Sequence, residues 1–192
     1  MMLLLVGVLA SQAVDAGPRH QGFFLRADVD LGYFKSGTPS LTYSGPGGGF
    51  GIAMGGSVAD NLALYGQLFG SKVNNPSISA GLGTASTNNF GVSMVGLGGG
   101  LTYYFMPINI FVAGTLGVGR VYVSNGPLSF HTQLGPVGRL GMGWEWRISR
   151  GWGIGVAAYL NLGSQNDYGA PEAGPARWTT VSPLLSLSVT FY

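Results

Sequence analysis

Two short groups of charged side chains carry the chemistry this sequence offers. Arg26, Asp28 and Asp30 are spaced by two, and so, with glycines at 141 and 143 between them, are Arg139, Glu145 and Arg147 on one parity. Successive side chains of a strand point to opposite faces, so each group lines one face of an extended segment. Three cations set against three carboxylates suit a buried ion-paired network. The alternative is a narrow path for ions or small solutes. Hydrolytic chemistry is thinner. The two histidines are His20 and His131, and Ser129 lies two residues from His131. A catalytic triad also needs an orienting acid, and none is evident nearby. No histidine or carboxylate cluster has metal-ligand spacing. There is no cysteine, so no thiolate or disulfide chemistry. Gly47–Gly49 and Gly98–Gly100 are not followed by Gly-Lys-Ser/Thr and open no helix, which argues against a phosphate loop. No cofactor is expected.

The charged groups sit within a longer pattern of alternation. In the last thirteen residues Val181, Pro183, Leu185, Leu187, Val189 and Phe191 hold one parity, while Thr180, Ser182, Ser186, Ser188, Thr190 and Tyr192 hold the other with Leu184. One face is greasy and the other nearly all hydroxyl. Seven more segments alternate in the same way, at about 22–34, 48–59, 61–70, 89–105, 109–123, 133–148 and 151–163. Their second parity is rich in Gly, Ala, Thr and Asn. Period two sustained eight times predicts eight strands.

Composition says what surrounds them. Charged residues are 8% of the 192, glycines number 35, and the formal net charge is +2. Mean hydropathy is +0.31. Average soluble chains carry roughly 25% charge. Such a chain is hard to keep in water as a monomer. Past the N-terminus no run of about 18 apolar residues exists, which excludes a helical membrane protein. The nine Lys and Arg are scattered, so no nucleic-acid partner is expected. At the N-terminus, Leu3–Ala10 is an apolar core with a plausible cut after Ala16, although no Lys or Arg precedes it. Residues 1–16 are expected to be a signal peptide and 17–192 the folded domain. A short buried strand or helix is the alternative for the N-terminal run.

Turns and aromatics orient the strands. Tight turns are expected at Asp60-Asn61, Met106–Asn109 and Ser149-Arg150, and long polar loops at 35–46, 71–88, 124–132 and 164–179. Phe23, Tyr103, Phe105, Trp144, Trp146, Trp152 and Phe191 gather near the strand ends on the tight-turn side. Tyr33, Phe50, Tyr122 and Trp178 lie near the other ends. Two girdles of amphipathic rings are what a membrane–water boundary favours. On the apolar parity of the spans the one charge is Arg120. It emerges at the outer interface, or a bulge flips its parity.

On this pattern the chain resembles the small eight-stranded outer-membrane barrel proteins of Gram-negative bacteria, of the OmpA/OmpX type. The most family-like stretches are Gly100–Phe105 and Ser188–Tyr192. The family usually ends on its outward aromatic, whereas here Tyr192 follows Phe191. The resemblance implies an all-β, eight-stranded antiparallel up-and-down transmembrane β-barrel in the bacterial outer membrane. It implies outer-membrane lipids and the barrel-assembly machinery as partners, and an extracellular partner reached through the long loops. A monomer is expected, since closure removes free edges. A soluble lipocalin-like barrel is the rival fold.

An eight-stranded barrel is only wide enough for side chains to fill. Large inward groups are expected from Arg26, Tyr65, Gln67, Arg139, Arg147 and Tyr159. Asp28, Asp30 and Glu145 are expected to pair with Arg26, Arg139 and Arg147, plugging the lumen. The function this favours is structural or surface interaction, without enzyme activity. A narrow pore or conduit and a lipid-modifying enzyme are the alternatives.

Overall fold

The computed structural model describes residues 22–80, 83–86, 90–125, 128–167 and 176–192. The expected signal segment and His20 lie outside them. Eight long strands carry the fold: β1 (Phe23–Gly37), β2 (Leu41–Ala59), β3 (Leu62–Asn74), β6 (Phe90–Phe105), β7 (Ile110–Asn125), β9 (Gly135–Arg147), β10 (Trp152–Asn166) and β11 (Arg177–Phe191). Three strands of four residues, β4 (Ser77–Ala80), β5 (Gly83–Ser86) and β8 (Leu128–His131), extend them at one end. Each long strand pairs antiparallel with its sequence neighbours among the eight, and β1 pairs with both β2 and β11. The meander is thereby closed into a barrel.

The register fixes its geometry. Gly32 lies opposite Leu184, and the row continues through Tyr159, Gly141, Ala113, Thr102, Ala63 and Ser57. Ser57 then donates its backbone N–H to the carbonyl of Gly22 at 2.8 Å. One circuit returns to β1 ten residues lower (32 − 22), a shear of ten over eight strands. That stagger makes the strands tilt by roughly 40°. Pro183 would break the seam, because proline has no N–H to give to β1. The Ser182 hydroxyl donates to the Tyr33 carbonyl at 3.0 Å instead.

Side chains sort by parity as the alternation predicts. In β11, Leu185 and Leu187 are 72% and 64% exposed, while Ser186 and Ser188 are 4% exposed. The exposed parity of every long strand is apolar, and it forms one belt around the barrel. A soluble monomer rarely shows a continuous apolar surface of this extent. Phe23, Tyr103, Phe105, Trp144, Trp146, Trp152 and Phe191 ring its lower edge; Phe23 and Phe191 are half-buried and the others exposed. Tyr33 is exposed toward the upper edge. Phe50 faces outward lower down, opposite Val29. Arg120 keeps outward parity with no bulge, pairing in register with Val95. Allowing for the stagger, Lys35, Lys72 and Arg120 reach nearly one level, roughly 25 Å above the lower ring. Between the two levels no charged side chain faces outward among the described residues.

The tight turns stand where expected. Asn61 and Asn109 adopt φ of 64° and 53°, the left-handed conformation that asparagine tolerates better than most residues. The long loops differ. β1 and β2 continue through most of 35–46, so only Thr38–Ser40 separates them. β4 and β5 lie inside 71–88 and β8 inside 124–132, while β10 and β11 run into 164–179 from both sides. Polar composition suggested coil, but strands that leave an apolar belt still need paired backbone, and their polar residues then sit on solvated sheet.

The belt predicts a position-dependent cost for charge. Leu187→Arg, in mid-belt, should lower stability by about 2–4 kcal/mol in urea titrations of the vesicle-inserted protein. Thr179→Arg, near the upper edge, should cost about 0–1 kcal/mol. Equal costs would refute the belt.

Candidate functional site in the lumen

The buried parity brings the charged residues together inside the barrel. Arg139 of β9 reaches across to β1. Its Nη2 donates to Asp28 Oδ2 at 2.7 Å, and its two terminal nitrogens donate to both oxygens of Asp30 at 3.1 and 3.2 Å. Nη1 also donates to Asn161 Oδ1 at 3.3 Å. The planar fork of arginine suits this two-pronged grip on a carboxylate. The guanidinium lies 3.9 Å from the Tyr159 ring centroid.

A second cluster lies toward the tight-turn end. Arg26 of β1 donates from Nη2 to Glu145 Oε2 at 3.3 Å and to the Tyr104 hydroxyl. Its Nε donates to Thr190 Oγ1 at 3.2 Å. Thr190 and Tyr104 donate in turn to Glu145 Oε2, at 2.7 and 3.4 Å. The Arg26 guanidinium sits 3.9 Å from the Phe111 centroid. All five charged groups are almost wholly buried, none above 4% exposed. Burial of charge on this scale is tolerated only with partners of this kind.

Glycine makes the room. A Cβ on Gly51 would stand 2.6 Å from Asp28 Oδ2, one on Gly49 2.9 Å from Asp30 Oδ2, and one on Gly153 2.7 Å from Glu145 Oε1. Gly141 leaves the wall flat under Tyr159, its register partner. The glycines of the lumen parity therefore shape the cavity in which the large groups pack.

Apolar layers close the charged zone at both ends. Toward the long-loop end Phe34, Phe69, Val73, Met94, Val121 and Trp178 form one buried cluster, with Tyr43 stacked on Trp178. Toward the tight turns Tyr104, Phe111, Phe24 and Tyr65 pack across the barrel. Tyr192 turns onto this floor, its hydroxyl 3.2 Å from that of Tyr104. The residue that follows the outward Phe191 thus belongs to the lumen parity.

Three expectations need correction. Arg147 shares the lumen parity but is exposed at the rim, its guanidinium 5.8 Å from the Tyr192 ring centroid; β9 ends there and leaves it no buried carboxylate. Trp178 is no girdle residue. It faces inward and is buried, because β11 begins one residue before it and its even number carries the hydroxyl parity. The large inward groups also come from β6, β7 and β11, in Met94, Tyr104, Phe111 and Trp178, beyond the strands expected to supply them. Parity alone finds Met94, Tyr104 and Phe111 within the expected segments, and finds Trp178 once β11 is carried back to Arg177. Ser129 and His131 stand on β8, outside the charged zone, with His131 stacked on Tyr122.

No protein-family model matches the chain, and no curated protein does. Solved structures do. Neisserial surface protein A aligns with a TM-score of 0.62 at 15% identity, over 88% of this chain and 96% of that one. The outer membrane protein AlkL, solved in DMPC bilayers, aligns at 0.48 and 16% identity over 93% of each chain. OprG of Pseudomonas aeruginosa aligns at 0.46 and 12%, over 91% of this chain and 97% of that one. At such identities the likeness is one of fold: the chain has the closed eight-stranded fold of the small outer-membrane barrels.

The ion network predicts an asymmetric response to mutation. Arg139→Met strands two buried carboxylates and should cost about 3–5 kcal/mol in urea unfolding followed by tryptophan fluorescence. Adding Asp28→Asn and Asp30→Asn should recover at least half of it. A single variant as stable as wild type would show that the carboxylates do not depend on Arg139.

Proposed function

We propose that this chain is an integral protein of the bacterial outer membrane with a sealed lumen, acting at the cell surface through the strand extensions at its long-loop end. The belt supports the membrane assignment. Apolar side chains outside and paired polar groups inside suit hydrocarbon, where every backbone polar group must be satisfied within the protein. The lower aromatic ring faces the periplasm on this reading, since the tight turns lie there. Outer-membrane lipids and the barrel-assembly machinery are then its partners, and the barrel works as a monomer.

One observation carries the sealed lumen. The pairing of Arg139 with Asp28 and Asp30, and of Arg26 with Glu145, crosses the interior between two apolar layers. An ion passing through would have to part buried ion pairs and then cross packed aromatic side chains. Among the described residues no histidine lies in the lumen beside a hydroxyl and an acid, and the buried carboxylates are taken up by arginines, which favours a binding or structural role over an enzymatic one. Among the described residues, what remains exposed at the outer end is β-sheet carrying Ser, Thr, Asn and Gly together with Phe130 and His131 of β8, with β4–β5 added to β2 and β8 added to β7. That sheet is the surface offered to an extracellular partner.

Planar-bilayer recording tests this reading. The purified protein should insert, as judged by its heat-dependent gel shift, and give no discrete conductance steps. Stepwise currents from inserted protein would contradict the sealed lumen. Recovery of the protein in the soluble cell fraction would contradict the membrane assignment.

A further inference from the structure

We infer that the outer rim of the barrel carries a binding site for a phosphorylated lipid, built on β3, β6, β7 and β8 around Lys72 and Arg120; it rests on the membrane reading above. The register sets the site out. Lys72 pairs with Ser93, Ser93 with Tyr122, and Tyr122 with His131, so these four form one row on the outward face. Arg120 stands two residues below Tyr122 on that face, opposite Val95. Neighbouring strands are about 4.8 Å apart, so the two cations flank Ser93 and Val95 at roughly two strand spacings. Both side chains are long enough to reach a phosphate held between them. The Lys72 stem already leans over β6, with Cε 3.5 Å from where a Gly91 Cβ would stand. Gly91 leaves the path across that strand open.

Charge selects an anion here. Among the described residues neither Lys72 nor Arg120 forms a salt bridge. Among the described residues the carboxylates Asp28, Asp30 and Glu145 are inside the barrel, Asp60 is at the opposite end, and Asp167, at the outer end past β10, continues the lumen parity and accepts from the inward Trp178 ring N–H at 3.5 Å. The Ser93 hydroxyl adds a donor on the strand between the cations, and the Tyr122 ring, above Arg120 and stacked on His131, walls one side. What lies beneath selects a lipid over a free ion. Below the cations, Leu97 on β6 and Val118 and Leu116 on β7 are exposed and apolar. A ligand that fits both levels has phosphate at the interface and acyl chains along the belt.

The test uses the full folded chain in neutral maltoside micelles, with diphosphoryl hexa-acyl lipid A as the probe and native mass spectrometry as the readout. The wild type should retain one lipid per barrel. K72Q/R120Q should lower the bound fraction about tenfold or more, from the loss of two interfacial cations. K35Q, at the same level on β1, should bind within about twofold of wild type. Equal retention by wild type and the double variant would overturn the site, as would an equal loss from K35Q, which would mark a diffuse charge effect. A heat-dependent gel shift on every sample separates these outcomes from failure of the membrane reading, which would show as no folded barrel in any of them.

Discussion

Everything in this structure depends on the pairing of β1 with β11. Without it the meander would have two open edges, each a row of unpaired amides facing an apolar medium. Each unsatisfied group there costs several kcal/mol, so an open sheet is not viable. Closure removes both edges and at the same time fixes the number of strands and the stagger between them. Those two quantities set the width of the interior. The belt, the lumen and the levels of the outward cations all follow from them. The seam tolerates Pro183 because Ser182 supplies the missing donor to Tyr33. A hydroxyl thus does the work of an amide where proline leaves this seam without one.

The interior that closure leaves is small, and it is filled in layers. Charge occupies the middle, and aromatic or aliphatic packing lies above and below. This arrangement inverts a soluble barrel only in part: the outside is apolar throughout, but the inside is mixed. Arginine suits the middle layer because it stays charged and offers several donors in one plane. Arg139 uses two nitrogens on two carboxylates and an amide, and both buried guanidinium groups face an aromatic ring. Such ion pairs add less net stability than their contact distances suggest, since desolvation offsets much of the attraction. Their clearer contribution is to fill the lumen in one way. Gly49, Gly51 and Gly153 belong to the same design, because a methyl at any of them would meet a carboxylate oxygen.

Much of this was legible in the residues. Thirteen alternating positions at the C-terminus placed β11 and both of its faces. The spacing of Arg26, Asp28 and Asp30 put them on one face, and the small residues opposite implied room for them. The aromatic ring at the tight-turn end was visible because rings recur at strand ends on the outward parity. What escaped had physical causes. Strand ends were hidden where polar residues continue as solvated sheet, and with them the inward placement of Trp178. Arg147 has the right parity, but a pattern of parity carries no depth, and depth decides whether an arginine is buried. The apolar layer around Met94 and Val121 went unseen because the inward parity was read for its charged, tyrosine and small residues, and these two apolar positions on it were not followed. Parity within the expected segments 89–105 and 109–123 already places them inside.

The central claim is that one parity of each strand meets lipid and the other meets a sealed interior. The chain has no native cysteine, so single cysteines can be introduced from Val181 to Phe191 and spin-labelled in phosphatidylcholine vesicles. Collision with dissolved oxygen, which partitions into lipid, should rise and fall with a period of two. It should peak at 185, 187 and 189 and drop at 186 and 188, and a water-soluble nickel complex should reach none of the five. Loss of the alternation, or access of the nickel complex to the even positions, would contradict the account.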